Sequence, residues 1–289
     1  MPSLPEYRPG LPEVNDNVSH NHPFKEFVIL LSGVTAFLLL AVWSLGLLVD
    51  WAAGFISPEM ETVIFSSMQV SGATVFKQQE EDPRRAELQR LVDELSRCYD
   101  VGYPLQVNMA QSQQANAFAF PGGRIIVLEG LLKKVHSENG LVFVLAHEMA
   151  HFKNRDHLLG LGRGLVMTAL SALLTGAGSD LTKLIAPALG VGQAQYSQER
   201  ETLADRLALE SLHCLYGHVG GASEFFEAMQ GEEGEQEGGL GDEIGRYFSS
   251  HPAAMQRINA LHQLAAESGF VAKETSPLST ILASDTSHE

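Results

Sequence analysis

An apolar run without a single charge extends from Phe27 to Val49, 23 positions in a row. Coiled as a helix it rises about 35 Å, enough to cross the hydrocarbon core of a bilayer. Trp43 and Trp51 stand toward its far end, where interfacial aromatics belong. The apolar core of a cleaved signal peptide is shorter, about 7–15 residues, and Trp51-Ala52-Ala53 makes a poor cleavage site. The pattern therefore predicts a retained anchor over 27–49, behind an N-terminal tail of 1–26. Arg8 and Lys25 precede the span, and no Lys or Arg follows it until Lys77. The positive-inside tendency then places the N-terminus in the cytoplasm and the bulk of the chain outside it, facing the periplasm of an inner membrane if the source is bacterial. The alternative keeps the bulk of the chain in the cytoplasm.

Beyond the anchor the periodicity changes. Residues 50–81 read as a juxtamembrane linker, mixed over Ile56 to Met68 and charged over Lys77 to Arg85. Leu88, Leu91, Val92 and Leu95 have helical spacing within Ala86–Leu95. Leu105–Met109, Ala115–Phe120 and Arg124–Leu128 read as strands, the last two joined by the turn Pro121-Gly122-Gly123. Leu141 to Ala146 are apolar on every side, the pattern of a buried helix, with Ser137 placed to cap its start and Glu138 suited to its positive end. Residues 158–189 are apolar and rich in Gly and Ala. Their longest uncharged stretch, Gly164 to Ser179, has 16 residues and falls short of a comfortable span. A helical insertion over the cleft is expected there, with a second membrane pass as the alternative. Residues 231–245, rich in Gly and Glu, are expected to form a mobile acidic loop, and 271–289 a disordered tail.

Composition narrows the classes. With 45% hydrophobic and 19% charged residues, one sizeable core is available. A net charge of -16 argues against a nucleic-acid partner, which requires a basic stripe. Cys98 and Cys214 are too few for a zinc knuckle or a disulfide scaffold; they read as buried small apolar groups in preference to a single bridge.

The chemistry concentrates in His147-Glu148-Met149-Ala150-His151, within the buried helix. Residues four apart share a helix face, so both imidazoles can reach one metal ion while Glu148 reaches a water on it. A catalytic zinc takes three protein ligands and leaves a position for water. The segment Ser197 to Asp205 can supply the third: as a helix it sets Glu201 and Asp205 on one face, with Ala204 and Ala208 small enough for close approach to the histidine helix and Leu203 and Leu207 covering another side. A buried carboxylate there needs a partner, and a metal is an adequate one. The alternative is ordinary surface pairing of Glu201 and Asp205 with Arg200 and Arg206.

At this point the chain resembles the membrane-associated gluzincin peptidases that include the HtpX heat-shock protease, the Ste-type CAAX prenyl endopeptidase and the mitochondrial Oma-type protease. Four stretches carry the resemblance, in the family's order across residues 82–265: Asn116 to Gly123, His147 to His151, Ser197 to Asp205, and His251-Pro252 followed by Arg257-Ile258. The resemblance implies an α+β, zincin-like fold, mainly helical with a small mixed sheet beside the histidine helix, in a metallopeptidase domain of 82–270 behind one transmembrane helix. It implies one Zn2+ held by His147, His151 and Glu201, with Glu148 as catalytic base and Asp205 orienting a ligand histidine. Arg257 is the candidate partner of Asp205, and His251 the candidate donor to the oxyanion. Asn116, Ala117 and Phe118 would form the edge strand that pairs with substrate. The expected activity is endopeptidase hydrolysis of a protein or peptide, in membrane or envelope protein quality control. A zincin scaffold that has lost catalysis and acts as a binding or chaperone module is the alternative, and a non-peptidase zinc hydrolase is a further one. Two positions depart from the family: Gln198 stands where arginine is common, and Gly140 where a polar residue is usual, which predicts a looser first turn of the histidine helix.

Overall fold

The structure is a computed structural model that describes residues 23–67, 82–102, 104–175, 197–230 and 254–283. Among these, helices dominate and one small mixed sheet stands beside the histidine helix. The first helix, α1 (Pro23–Ala53), extends the apolar run at both ends and is long and apolar enough to cross a membrane. The chain divides into two compact units, residues 1–45 and 46–289; the remaining elements all belong to the second.

In that unit α2 (Pro58–Ser67) arises where the sequence reads only as linker. Next comes α3 (Pro83–Cys98), started by Asp82, whose side chain accepts from the Arg84 N–H, with Pro83 in the first turn where its missing N–H costs nothing. Leu88, Leu91, Val92 and Leu95 are its fully buried face. Strands β1 (Gln106–Ala110), β2 (Ala117–Phe120) and β3 (Arg124–Leu128) form the sheet in the order β1-β3-β2, parallel between β1 and β3 and antiparallel between β2 and β3. The hairpin thus leaves β2 at an edge of the sheet.

After α4 (Glu129–Lys134), the histidine helix α5 (Glu138–Lys153) is buried along nearly its whole length. Its first turn is not loose. The Ser137 hydroxyl accepts from the Gly140 N–H. Glu224 accepts from the His136 and Ser137 N–H groups and from the Ser137 hydroxyl. A Cβ at position 140 would lie 2.8 Å from the Glu224 carboxylate, so glycine is what admits this second cap. The chain continues through α6 (Asp156–Thr175), α7 (Gln198–Tyr216), α8 (Glu224–Gln230), α9 (Ala254–Glu267) and α10 (Thr280–Ala283). Helix α7 is the main neighbour of α5, and Ala204 and Ala208 are fully buried on it. Leu203, expected to cover another side of α7, is instead exposed.

Two further expectations are corrected. Cys98 and Cys214 are joined in a disulfide that ties the end of α3 to α7 across 116 residues of sequence. Nothing local in the sequence brings them together; the packing of α3 on α7 does. The tail is not disordered over residues 271–283: the Ser276 N–H donates to the Asn139 side chain at 2.8 Å, Pro277 bridges Ser137, and Leu282 is buried. Short hydrogen-bonded segments and one apolar anchor hold down a stretch whose composition alone looks unstructured. The expected insertion begins as helix α6, and its part beyond Thr175 lies outside the described residues, as do the acidic loop at 231–245 and His251.

Candidate metal centre

Two helices supply the donor groups of the centre. Helix α5 presents His147 and His151 one turn apart, and α7 presents Glu201, all three buried. The His147 and His151 Nε2 atoms are 3.1 Å apart. Glu201 Oε2 lies 3.5 Å from His147 Nε2, and Glu201 Oε1 lies 3.6 Å from His151 Nε2. A tetrahedral ion with bonds of about 2.0–2.1 Å separates its ligands by about 3.4 Å. The three donor groups therefore already have the spacing of ligands to one metal ion, and two imidazole nitrogens facing each other in a buried site have little other use.

The outer nitrogen of each ring is taken by an aspartate. His147 Nδ1 is 3.0 Å from Asp205 Oδ1, and His151 Nδ1 is 2.9 Å from Asp156 Oδ2. Each contact favours a proton on Nδ1 and so turns Nε2 toward the other donor groups. Each aspartate is held in turn by an arginine. Arg257 Nε donates to Asp205 Oδ2 at 2.9 Å, and its Nη1 lies 2.8 Å from Glu201 Oε2. Arg200 pairs with Asp156. The sequence pairing of Glu201 and Asp205 with Arg200 and Arg206 is thus not what forms: Arg200 serves the other aspartate, and Arg257 comes from α9.

Charge within the cluster is strongly coupled. Burial and the Arg257 charge push the His147 imidazole down, but the carboxylates of Asp205 and Glu201 outweigh them and lift it to about 9. His151 goes the other way: burial holds it low, helped by His147, against the pull of Asp156. Burial would raise Asp205, yet Arg257 and His147 hold it below the usual carboxylate range.

Glu148 projects from α5 to the sheet, where its Oε2 accepts from the Ala119 N–H at 2.9 Å. The Leu128 N–H donates to Asn116 O, so even-numbered residues of the β2 segment bond to β3 and the backbone of Ala117 and Ala119 faces outward. The structure thus brings Glu148, the two histidines, Glu201, Asp205 and Arg257 together, with Ala117 and its neighbours Asn116 and Phe118 on the adjoining strand.

Sequence reading missed three contributors. Asp156 and His157 follow α5 through Arg155, a non-glycine residue in the left-handed region that ends the helix and folds the chain back on it. His157 Nδ1 lies 3.3 Å from the His151 carbonyl oxygen, and its Nε2 lies 2.8 Å from Glu61 of α2, which is fully buried. The only signal for Asp156 and His157 was a charged cluster directly after the second histidine, and Glu61 had none.

Known proteins share this arrangement of sequence. The mitochondrial metalloendopeptidase OMA1 of Schizosaccharomyces pombe is 28% identical over 173 residues, covering 59% of this chain and 49% of that protein. A protease HtpX homolog of Salinibacter ruber is 30% identical over 210 residues, covering 62% of this chain and 74% of that protein. The beta-barrel assembly-enhancing protease of Escherichia coli is 29% identical over 133 residues, covering 41% of this chain and 26% of that protein. The chain spans about half of the OMA1 relative and less of the assembly-enhancing one. Residues 82–265, which contain His147, Glu148, His151, Glu201, Asp205 and Arg257, match peptidase family M48, and the chain belongs to that family.

Proposed function

We propose that the chain is a membrane-anchored, zinc-dependent endopeptidase. The observation that carries this reading is the buried triangle of His147, His151 and Glu201 with Glu148 alongside, at the edge of a sheet. Zinc suits two imidazoles and a carboxylate that leave a fourth position for water. When bound it would lower the pKa of that water and polarise the scissile carbonyl. Glu148 accepts the water's proton and later delivers it to the leaving nitrogen. Asp205 and Asp156 keep the two rings in the metal-binding tautomer. The substrate backbone adds to the open side of β2 along Asn116, Ala117 and Phe118, beside Glu148. His251, three residues before α9, supplies the donor to the oxyanion.

The anchor is α1, and the peptidase unit lies outside the cytoplasm. Arg8 and Lys25 before the span support that orientation. The Cys98–Cys214 bridge supports it independently, because disulfides persist in oxidising compartments. A role in membrane or envelope protein quality control follows from a membrane-tethered, acidic peptidase unit, and the assembly-enhancing role in one relative's name agrees with it.

The test separates metal from chemistry. Glu148→Gln should retain stoichiometric zinc and lose peptidase activity on an unfolded protein by about 10²–10⁴-fold. His147→Ala should lose most of the zinc. Near-normal turnover by the first variant, or full zinc in the second, overturns the assignment.

A further inference from the structure

Helix α2 is built inside out for a helix on the surface of a soluble protein. Its one buried charge, Glu61, is fully enclosed. Met60, Val63 and Ile64, at helical spacing on one face, are 52%, 69% and 40% exposed. Just before it, Trp51 and Phe55 meet edge to face, ring centroids 4.7 Å apart, and each is 65% exposed. These five large apolar residues lie within 14 positions of one another, a cluster of the kind that marks a contact surface.

The inward side of α2 is fastened to the catalytic elements. Glu61 Oε1 accepts from the Gly122 N–H at 2.8 Å and contacts His157 Nε2, while Oε2 pairs with Arg155 at 3.2 Å. Burial would raise the Glu61 carboxyl, but His157, Gly122 and Arg155 together hold it low, so it stays charged. Arg124 donates to the Phe65 carbonyl at 2.7 Å. Gly122 has φ +86, and a Cβ there would lie 3.2 Å from the Phe65 Cβ. The helix is thus locked to the β2–β3 turn on one side and to the end of α5 on the other.

We infer that the Met60–Val63–Ile64 face of α2, together with Trp51 and Phe55, lies in the interfacial layer of the bilayer that α1 crosses and holds the peptidase cleft at that membrane's surface. This rests on the reading of α1 as an anchor. Four residues separate Ala53 from Pro58, a reach of at most about 18 Å over five Cα steps, so a bilayer containing α1 is within range of α2 whatever the link's path. Trp and Phe beside Met, Val and Ile are the side chains that settle at an interface, where tryptophan has its preferred depth. Lipid is the occupant because Trp51 stands in the last turn of α1, whose stretch from Phe27 to Val49 carries no charge, and Phe55 and the α2 face follow within 13 residues of it. With α2 there, the edge strand reached through Gly122 is presented to polypeptide close to the membrane. The substrate class is then the membrane-proximal segments of membrane proteins rather than free soluble chains.

The test uses the full chain in lipid nanodiscs carrying brominated acyl chains. In a background with Trp43→Phe and Trp51→Phe, Val63→Trp should be quenched several-fold more than Val271→Trp. Val271 is an exposed residue that precedes the segment bonded to the N-terminal end of α5, while α2 binds beyond its C-terminal end. Native Trp43, kept alone in a third protein, reports the anchor itself. Equal quenching at positions 63 and 271 with Trp43 quenched overturns the proposal; escape of Trp43 as well overturns the anchor reading and the proposal with it. Combined Met60→Glu, Val63→Glu and Ile64→Glu should leave soluble-peptide cleavage within about twofold and lower cleavage of a membrane-tethered site about tenfold, or about 1.4 kcal/mol. Equal loss on both substrates, or none on either, overturns it.

Discussion

The two candidate ligand histidines are four residues apart on one helix, yet their surroundings are built differently. His147 leans on Asp205, which is held by Arg257, and Asp205 and Arg257 are both buried. His151 leans on Asp156, whose arginine, Arg200, is partly exposed at the start of α7. Both rings receive the same outer contact, but only the first lies in a fully desolvated network. Their proton affinities are opposite. At His147 the carboxylates of Asp205 and Glu201 outweigh burial and the Arg257 charge, so its proton affinity is raised; at His151 burial and the neighbouring His147 outweigh the pull of Asp156, Glu148 and Glu201, so its proton affinity is lowered. The protein thus sets two chemically identical ligands apart before any metal arrives.

The comparison can be broken most severely at Arg257. Arg257→Ala would remove the guanidinium from Asp205 and Glu201 and leave two buried carboxylates facing the single His147 charge. A loss of about 3–5 kcal/mol of stability is expected, as for removal of one partner from a buried ion pair, measured by chemical denaturation of the metal-free protein. A loss under ~1 kcal/mol would show that solvent reaches the network.

The aspartates give the next largest effect. Asp205→Asn and Asp156→Asn should each weaken metal affinity or activity by about 10–100-fold, the usual range for residues that orient a ligand. Competitive chelator titration of the two variants measures it. If one of them is silent, the corresponding ring is oriented by packing alone.

Proton competition follows. A metal ligand imidazole must be neutral, and His147 is lifted from 6.5 to about 9. Below about pH 9 the entering metal displaces its proton, so affinity should rise by about tenfold per pH unit up to that point and level off above it. The same raised value makes the proton a stabiliser of the metal-free fold: its contribution is complete below 6.5 and is lost as pH rises through about 9. Asp205→Asn should move the break to lower pH, because it removes a carboxylate that raises His147. Asp156→Asn should leave it in place. Metal titrations across pH on the three proteins decide this.

The smallest effect belongs to Arg200. Its pair with Asp156 is partly exposed, and Arg200→Ala should cost no more than ~1 kcal/mol. A cost like that of Arg257→Ala would erase the contrast between the two sides.

Legibility in the sequence follows how local each interaction is. Helix α5, its Ser137 cap and both histidines were readable because the spacing of a helix face is a property of consecutive residues. The hairpin was readable from Pro121-Gly122-Gly123 for the same reason. Glu201 and Asp205 could be placed on a common face, but resemblance was needed to rank one as ligand and the other as its neighbour's support. Asp156 was not readable, since its contact depends on Arg155 adopting the left-handed region. Glu61, 96 residues before His157, and Glu224, 87 after Ser137, carry no spacing signal at all.

What the sequence by itself determined is therefore the long apolar helix, the strands and helices of the second unit, and the candidate metal donors. These rest on hydrophobic periodicity and on side-chain types a few residues apart. Tertiary structure alone decided that α2 is a helix fastened to the catalytic hairpin, that Cys98 meets Cys214, that residues 271–283 strap the start of α5, and that the two histidines differ in proton affinity. Each of these depends on groups distant in the chain sharing one desolvated space, and both the desolvation and the partners exist only once the elements have packed.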